Sequence, residues 1–337
     1  MGGKKHERNI YFVKFIVTNL FNILGSESMV KKIISVKPQG VCVGVERALK
    51  ILDVVIEKNN GPVYCRHAIV HNKKVEEEFA QRGVIVVEDL NEVPDNSTVV
   101  FSAAGSSPDL FALAKKKNLT VIDAACPLVT KVHDEAKRFT KEGYFVVYLG
   151  DKGHPEALGV LGEVVGKSVL ISNLEEAKKL DLPEKAVLLT QTTLALDETK
   201  EITDYLKGKF PNLKLPAAKD ICFSTTNRQT AVKALAEQAG TVLVVGSKTS
   251  ANSKRLREIA EKAGTQAYLI DGPEDLQNEW FTDQEVIGIT AGASVPNKFV
   301  RQVIDEVKKR FGGEEKELEV IREEVKFPNL PKELESL

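Results

Sequence analysis

Between residues 31 and 312 the chain alternates two hydropathy patterns. Short apolar, largely β-branched runs (KKIISV, GPVYCR, GVIVVE, STVVFSAA, LTVIDAA, YFVVYLG, KSVLIS, AVLLTQT, TVLVVGS, QAYLID, EVIGITAG) are separated by helix-like stretches or short turns. Helices are expected from about Gly44 to Lys58 and near Asn72–Arg82, between the first strands. Strands this short and this apolar, spaced by helices, predict α/β units with mainly parallel sheets.

The first 28 residues break the pattern. Residues 11–25 are apolar but interrupted by Lys14, Thr18, Asn19 and Asn22, and the stretch is too short to span a bilayer. Phe12, Ile16, Leu20 and Leu24 recur at helical spacing, so a peripheral amphipathic helix is one reading. The simpler one is an accessory or mis-assigned leader outside the fold, with Met29 as the natural start. No membrane span is expected.

Charge adds little direction. The formal net charge is −1 and aromatic residues make up 6%, which leaves neither a basic footprint nor base-stacking platforms for nucleic acid. No GxGxxG or Walker loop is present, so an ordinary dinucleotide or ATP site is not supported.

The cysteines do change the picture. Cys42, Cys126 and Cys222 each follow a short apolar stretch and precede a helix-like segment, 84 and 96 residues apart. Only a fold that brings separate units to one centre can gather them. Three thiolates at helix N-termini suit an iron–sulfur cluster with one iron left open, because a helix dipole favours negative charge there. Three buried core thiols remain the alternative. Four cysteines are too sparse for a disulfide scaffold, and no close Cys/His pair suggests zinc.

Candidate ligand loops follow the strands: SAAGSS (102–107), DAACP (123–127), GDKGHPE (150–156), TQTT (190–193), GSKTSANS (246–253) and TAGAS (290–294). The fifth and sixth place hydroxyls at a helix start, which suits phosphate oxygens or simply N-capping. His154 and Glu156 lie two apart, a pairing able to deliver protons. His67 and His71 lie four apart without a nearby third ligand, so at most one is functional. Asp123, Lys131 and His133 order the loop and helix around Cys126.

Together GVCVGVERA, HNKKVEEEFAQRGV, DAACPLVTKVH, GHPEALG, LLTQTTL, DICFSTTNRQ, VVGSKTSANSKRL and TAGASVP resemble the 4-hydroxy-3-methylbut-2-enyl diphosphate reductase family (IspH, or LytB). The resemblance runs from about Lys31 to the closing VKFPNLPKEL. It implies three α/β domains in a pseudo-threefold arrangement around one [4Fe–4S] cluster per chain, held by Cys42, Cys126 and Cys222, with Cys65 a core thiol. The domains are expected at 44–125, 127–220, and 30–43 plus 221–312, with 313–337 as a C-terminal tail. The substrate diphosphate falls to His71, His154, Ser250, Asn252 and Ser294, with Thr192 near the reacting hydroxyl and Glu156 as proton donor. The activity implied is reductive dehydroxylation to isopentenyl and dimethylallyl diphosphate, the last step of the non-mevalonate isoprenoid route. It is placed in the cytoplasm, with electrons from a ferredoxin or flavodoxin. Two positions depart from the family: Ala104 stands where a histidine is usual and Ala251 where a serine is. They raise one alternative, a paralogue acting on an allylic alcohol with another head group, against neutral drift offset by Ser106 or Ser107; a non-catalytic iron–sulfur redox sensor is a third reading.

Overall fold

The computed structural model describes residues 30–327 and 330–335, so the extension at 1–28 lies outside the described residues. Three sheets carry the architecture, and every pairing within them is parallel. The first holds β2 (Val63–Arg66), β3 (Val84–Val87), β4 (Thr98–Phe101) and β5 (Thr120–Asp123) in the order β3-β2-β4-β5. The second holds β6 (Phe145–Leu149), β7 (Ser168–Ile171) and β8 (Ala186–Thr190) in the order β7-β6-β8. The third joins the two ends of the fold. Its order is β10-β9-β11-β1-β12, formed by β1 (Lys32–Lys37), β9 (Thr241–Val245), β10 (Gln266–Ile270), β11 (Val286–Ala291) and β12 (Glu314–Glu319). The α/β expectation with parallel sheets holds.

The helices follow the strands as their caps and stripes require. Helix α1 (Val43–Lys58) starts at Cys42, whose extended backbone and sulfur cap the first turn, and carries Glu46 in that turn and Lys58 in the last. Its buried stripe is Ala48, Ile51, Leu52 and Val55, the spacing of one helical face. Asn72 caps α2 (Lys73–Gln81) by accepting from the Val75 amide. Helices α3 (Pro108–Lys116), α4 (Pro127–Lys141) and α5 (Pro155–Gly162) each open with proline, whose missing N–H costs nothing at that position. The site also draws on α6 (Phe223–Ala236) and α7 (Ala251–Lys262).

Residues 313–337, set apart above as a tail, are in part structural. Glu314–Glu319 pairs with β1 along its length as the edge strand β12. Its sequence, EEKELE, has no apolar run because both faces are largely exposed, and charge on an edge discourages pairing with other chains. The chain beyond it is anchored: Glu323 accepts from the buried Arg228, Leu334 is buried, and Lys58 donates to the Leu334 carbonyl. Removing one partner of a buried ion pair costs about 3–5 kcal/mol.

Candidate active site

In a parallel sheet the loops leaving the carboxyl ends of the strands face one side, and here three sheets turn that side toward one cavity of about 140 Å³. Cys42, Cys126 and Cys222 line it, each as the N-cap of its helix, α1, α4 and α6. Each is hung from the loop that leaves a neighbouring strand, β11, β4 or β8. The Cys42 amide donates to Ala293 O (3.1 Å), that of Cys126 to Ala103 O (3.0 Å) and that of Cys222 to Thr192 O (3.1 Å). The same hydrogen bond recurs three times, and with it a pseudo-threefold logic.

The thiols sit deep. Burial pushes Cys126 up to about 12, with the nearby Cys42 and Cys222 sulfurs adding to the shift, and pushes Cys222 up to about 11. The Cys222 sulfur accepts from the Thr225 amide at 3.2 Å and lies 3.1 Å from the Thr225 hydroxyl. Gly44 is needed where it stands, because a Cβ there would lie 2.6 Å from the Cys126 sulfur. Cys65 is elsewhere, buried in the core on β2, where burial pushes its thiol up to about 12. Among the described residues no group of three or more His, Cys, Asp and Glu is gathered tightly enough to hold a single metal ion. Ligands of one zinc stand about 4 Å apart; each thiolate of a cluster binds its own iron, so a wider triangle of thiols suits a cluster.

Glu156 lies in the first turn of α5, almost fully buried. Its carboxyl accepts from the Thr192 amide at 2.7 Å and meets the Thr192 hydroxyl at 2.9 Å. Burial outweighs those hydrogen bonds and raises it to about 7. A carboxyl at that value is close to half protonated at neutral pH.

The remaining expected residues line the same cavity: His71, His154, Thr192, Ser250, Asn252 and Ser294. His154 caps α5, its Nδ1 accepting from the Glu156 amide at 3.2 Å, which leaves the ring proton on Nε2. Burial pushes its imidazole down to about 4 and also lowers His71; the two ring centres are 5.5 Å apart. Both rings are therefore neutral at pH 7. Ser294 donates to the His71 carbonyl at 3.1 Å, and Ser250 caps α7. Asn252 is buried with its Nδ2 unpartnered, a donor at the cavity wall. An unused buried donor fits an anionic oxygen.

His67 does not line the cavity; it pairs with Glu88 at 2.8 Å. Asp123 orders the Cys126 loop by accepting from the Ala125 amide at 2.9 Å. Lys131 does more than order its own helix, since it crosses to Asp220 at 2.9 Å. Ala104 and Ala251 both face the cavity, and neither Ser106 nor Ser107 lines it to take over from Ala104. The sequence reading missed Thr225 and the apolar wall of Ile69, Val70, Leu128 and Val129. A hydroxyl three residues after a capping cysteine was the one available signal for Thr225.

The protein-family model described as "LytB protein" matches residues 33–308. The chain is 47% identical over 309 residues to the 4-hydroxy-3-methylbut-2-enyl diphosphate reductase of Aliivibrio fischeri (strain MJ11), covering 90% of this chain and 98% of that one. It is 46% identical to the reductase of the same name from Pseudomonas aeruginosa (strain LESB58), over 88% and 96% of the two chains. Among solved structures it resembles the E-1-hydroxy-2-methyl-but-2-enyl-4-diphosphate reductase of Plasmodium falciparum, with a TM-score of 0.89, 33% identity, and coverage of 91% of this chain and 98% of that chain. With the fold, the length and the sequence all in agreement, this chain belongs to the LytB family, the 4-hydroxy-3-methylbut-2-enyl diphosphate reductases.

Proposed function

We propose that this chain catalyses the reductive removal of the hydroxyl group of 4-hydroxy-3-methylbut-2-enyl diphosphate. One observation carries the reading: the thiols of three N-cap cysteines and a buried carboxyl raised to about 7 line one cavity. Cys42, Cys126 and Cys222 would hold one [4Fe–4S] cluster, which when bound supplies one-electron reducing equivalents and an electron-accepting iron. Two electrons and two protons are consumed as the carbon–oxygen bond breaks. One proton leaves with the oxygen as water and one ends on carbon, at either end of the allylic system, giving isopentenyl or dimethylallyl diphosphate.

The chain's own residues bind and orient the substrate and supply a proton. Neutral His71 and His154 present ring nitrogens without the desolvation cost of buried cations. Ser250, Asn252 and Ser294 add neutral donors, and the N-terminus of α7 adds its dipole, so the diphosphate is held by hydrogen bonds rather than by full charges. Thr192 joins the Glu156 carboxyl to the cavity and keeps it aimed. Glu156 then acts as general acid. A ferredoxin or flavodoxin is the proposed electron donor and the cytoplasm the proposed compartment. Among the described residues no helix is long and apolar enough to cross a membrane.

The test is anaerobic turnover of cluster-loaded protein with the diphosphate substrate and dithionite-reduced viologen. Substrate-dependent viologen oxidation is expected, with isopentenyl and dimethylallyl diphosphate as products. A loaded protein that consumes none of this substrate would point instead to the paralogue with another head group or to the redox sensor.

Two further results are expected. Cys65→Ala leaves iron content unchanged, because that thiol is packed in the core away from the cavity; loss of iron in this variant would overturn the assignment of ligands. Ala104→His with Ala251→Ser adds two donors at the cavity wall, each worth about 1.5–3 kcal/mol to an anionic oxygen. The gain should fall in KM, roughly tenfold or more, with kcat little moved, because contacts remote from the reacting carbon stabilise ground and transition states alike. Steady-state titration of parent and double variant measures it. An unimproved double variant means the two alanines are neutral.

A further inference from the structure

Each of the three cysteine-capped helices carries a cation just after its first turn, and each cation reaches the loop that precedes the next cysteine. Arg47, five residues beyond Cys42, donates from Nη1 to the Ala125 carbonyl, the residue before Cys126, at 3.2 Å. Lys131, five residues beyond Cys126, donates to the Ala218 carbonyl at 3.2 Å and to Asp220 at 2.9 Å, just before Cys222. Arg228, six residues beyond Cys222, donates to the Gly40 carbonyl at 2.8 and 3.1 Å and to Val41 at 3.4 Å, just before Cys42. The contacts run in one direction around the centre and close on themselves.

We propose that Arg47, Lys131 and Arg228 form a closed ring of clamps that sets the spacing of the three cysteine thiols. They are positioning residues for the cluster and touch neither cluster nor substrate in the reaction. The proposal rests on the cluster reading given above.

The physical argument lies in where each clamp pulls. A cysteine loop with no metal bound is free to drift on its strand end, and three separate units share no sheet to hold them in register. Each loop is already tied to its own sheet by the amide bonds to Ala293, Ala103 and Thr192. Those bonds fix each cysteine against one sheet and leave its distance to the other two open. The cations supply the missing constraint, because each begins on the helix that one cysteine caps and ends on the loop before the next cysteine.

A second observation separates this from chance packing. Arg228 is buried, and its guanidinium also meets Ser224 O at 3.0 Å and the Glu323 carboxylate at 3.1 Å. Lys131 is countered by Asp220 and by Glu135 at 3.2 Å. A buried cation with its counter-charge supplied, as Arg228 is, holds geometry more than it adds net field. The spacing of five, five and six residues from the capping cysteine puts each side chain on the helix flank that meets the loop of the next cysteine. A triangle of thiols set in advance binds a cluster more tightly than one the cluster must assemble, as residues behind metal ligands do elsewhere.

The experiment compares parent, Arg47→Gln, Arg47→Lys and Lys131→Gln, each loaded anaerobically. Iron release to a chelator is followed by absorbance and the reduced cluster by low-temperature electron paramagnetic resonance. Melting of the metal-free chains checks that each variant folds. Arg47→Gln is expected to melt near the parent and Lys131→Gln below it, because buried Asp220 loses its cation; both are expected to release iron about tenfold faster or more, within the 10–100-fold range seen for such supporting residues, and to show an altered resonance lineshape. Arg47→Lys keeps a donor within reach of the Ala125 carbonyl and is expected to restore most of the retention. A parent that takes up no iron sinks the cluster reading and the ring with it. A loaded parent whose glutamine variants hold iron equally long, with an unchanged lineshape, sinks the ring alone. Arg228 is left out of the test because its removal strands Glu323.

Discussion

Cys126→Ser is expected to give a folded chain that retains little or no iron after anaerobic reconstitution. The Cys126 thiol is central: it abuts Gly44 in the first turn of α1, and its burial shift carries contributions from both other cysteines. Metal binding must strip the proton from a thiol whose burial has raised it to about 12. Iron can do this for a thiol, because the bond formed offsets the cost of deprotonation. A serine hydroxyl starts several units higher and gives a harder ligand, so the same bond does not form. Two thiols then remain for a cluster that needs three. The fold itself does not depend on this sulfur, since Cys126 makes no side-chain cap bond to α4, and Pro127 still opens the helix. Iron per chain and the visible absorbance measure the outcome. Full iron content in the variant would remove Cys126 from the ligand set.

Glu156→Gln is expected to bind substrate with little change and to turn it over about a hundredfold more slowly or worse, the range assigned to general acid–base groups. The amide keeps the shape of the carboxyl and can still meet Thr192, but it cannot release a proton. The pH dependence gives the same assignment a second test. Burial raises the native carboxyl from its ordinary value of 4.5 to about 7, so the protonated form needed for donation is lost as pH rises through that value. kcat/KM of the parent should fall on the alkaline side with an apparent pKa near 7, and that limb should be absent in the variant. Stability follows with the same sign. Between pH 4.5 and about 7 the native chain holds more proton on Glu156 than the unfolded chain does, so this group's contribution declines as pH rises across that window. Glutamine removes the slope. A variant with near-parental turnover and an unchanged alkaline limb would show that the proton comes from another group.

Much of this was legible in the order of residues alone. Eleven apolar runs announced eleven of the twelve strands among the described residues, because a strand buried on both faces must be apolar along its length, and parallel sheets covered by helices bury both faces. The helix starts were legible for a local reason too: Asn72, His154, Ser250 and the cysteines can each accept from a backbone amide two or three residues on, and that reach lies within one turn. β12 was not legible. EEKELE carries no hydrophobic signal, and it is a strand because β1 offers it an open edge, which is a fact about another part of the chain.

The site divides along the same line. Residue types and spacing identify Cys42, Cys126, Cys222 and Glu156 as chemistry worth watching, and a resemblance sharpens the list. Sequence order cannot say that thiols 84 and 96 residues apart line one cavity, that Gly44 gives way to the distant Cys126 sulfur, or that Arg47, Lys131 and Arg228 point around a circle. Nor can it say that Glu156 stands near 7, because that value comes from burial beneath surrounding protein rather than from its neighbours in sequence. Local sequence determined the pieces, since caps, stripes and apolar runs act over a few residues. Distances between pieces, and the burial that sets the acidity of a carboxyl or a thiol, exist only once the three units have packed.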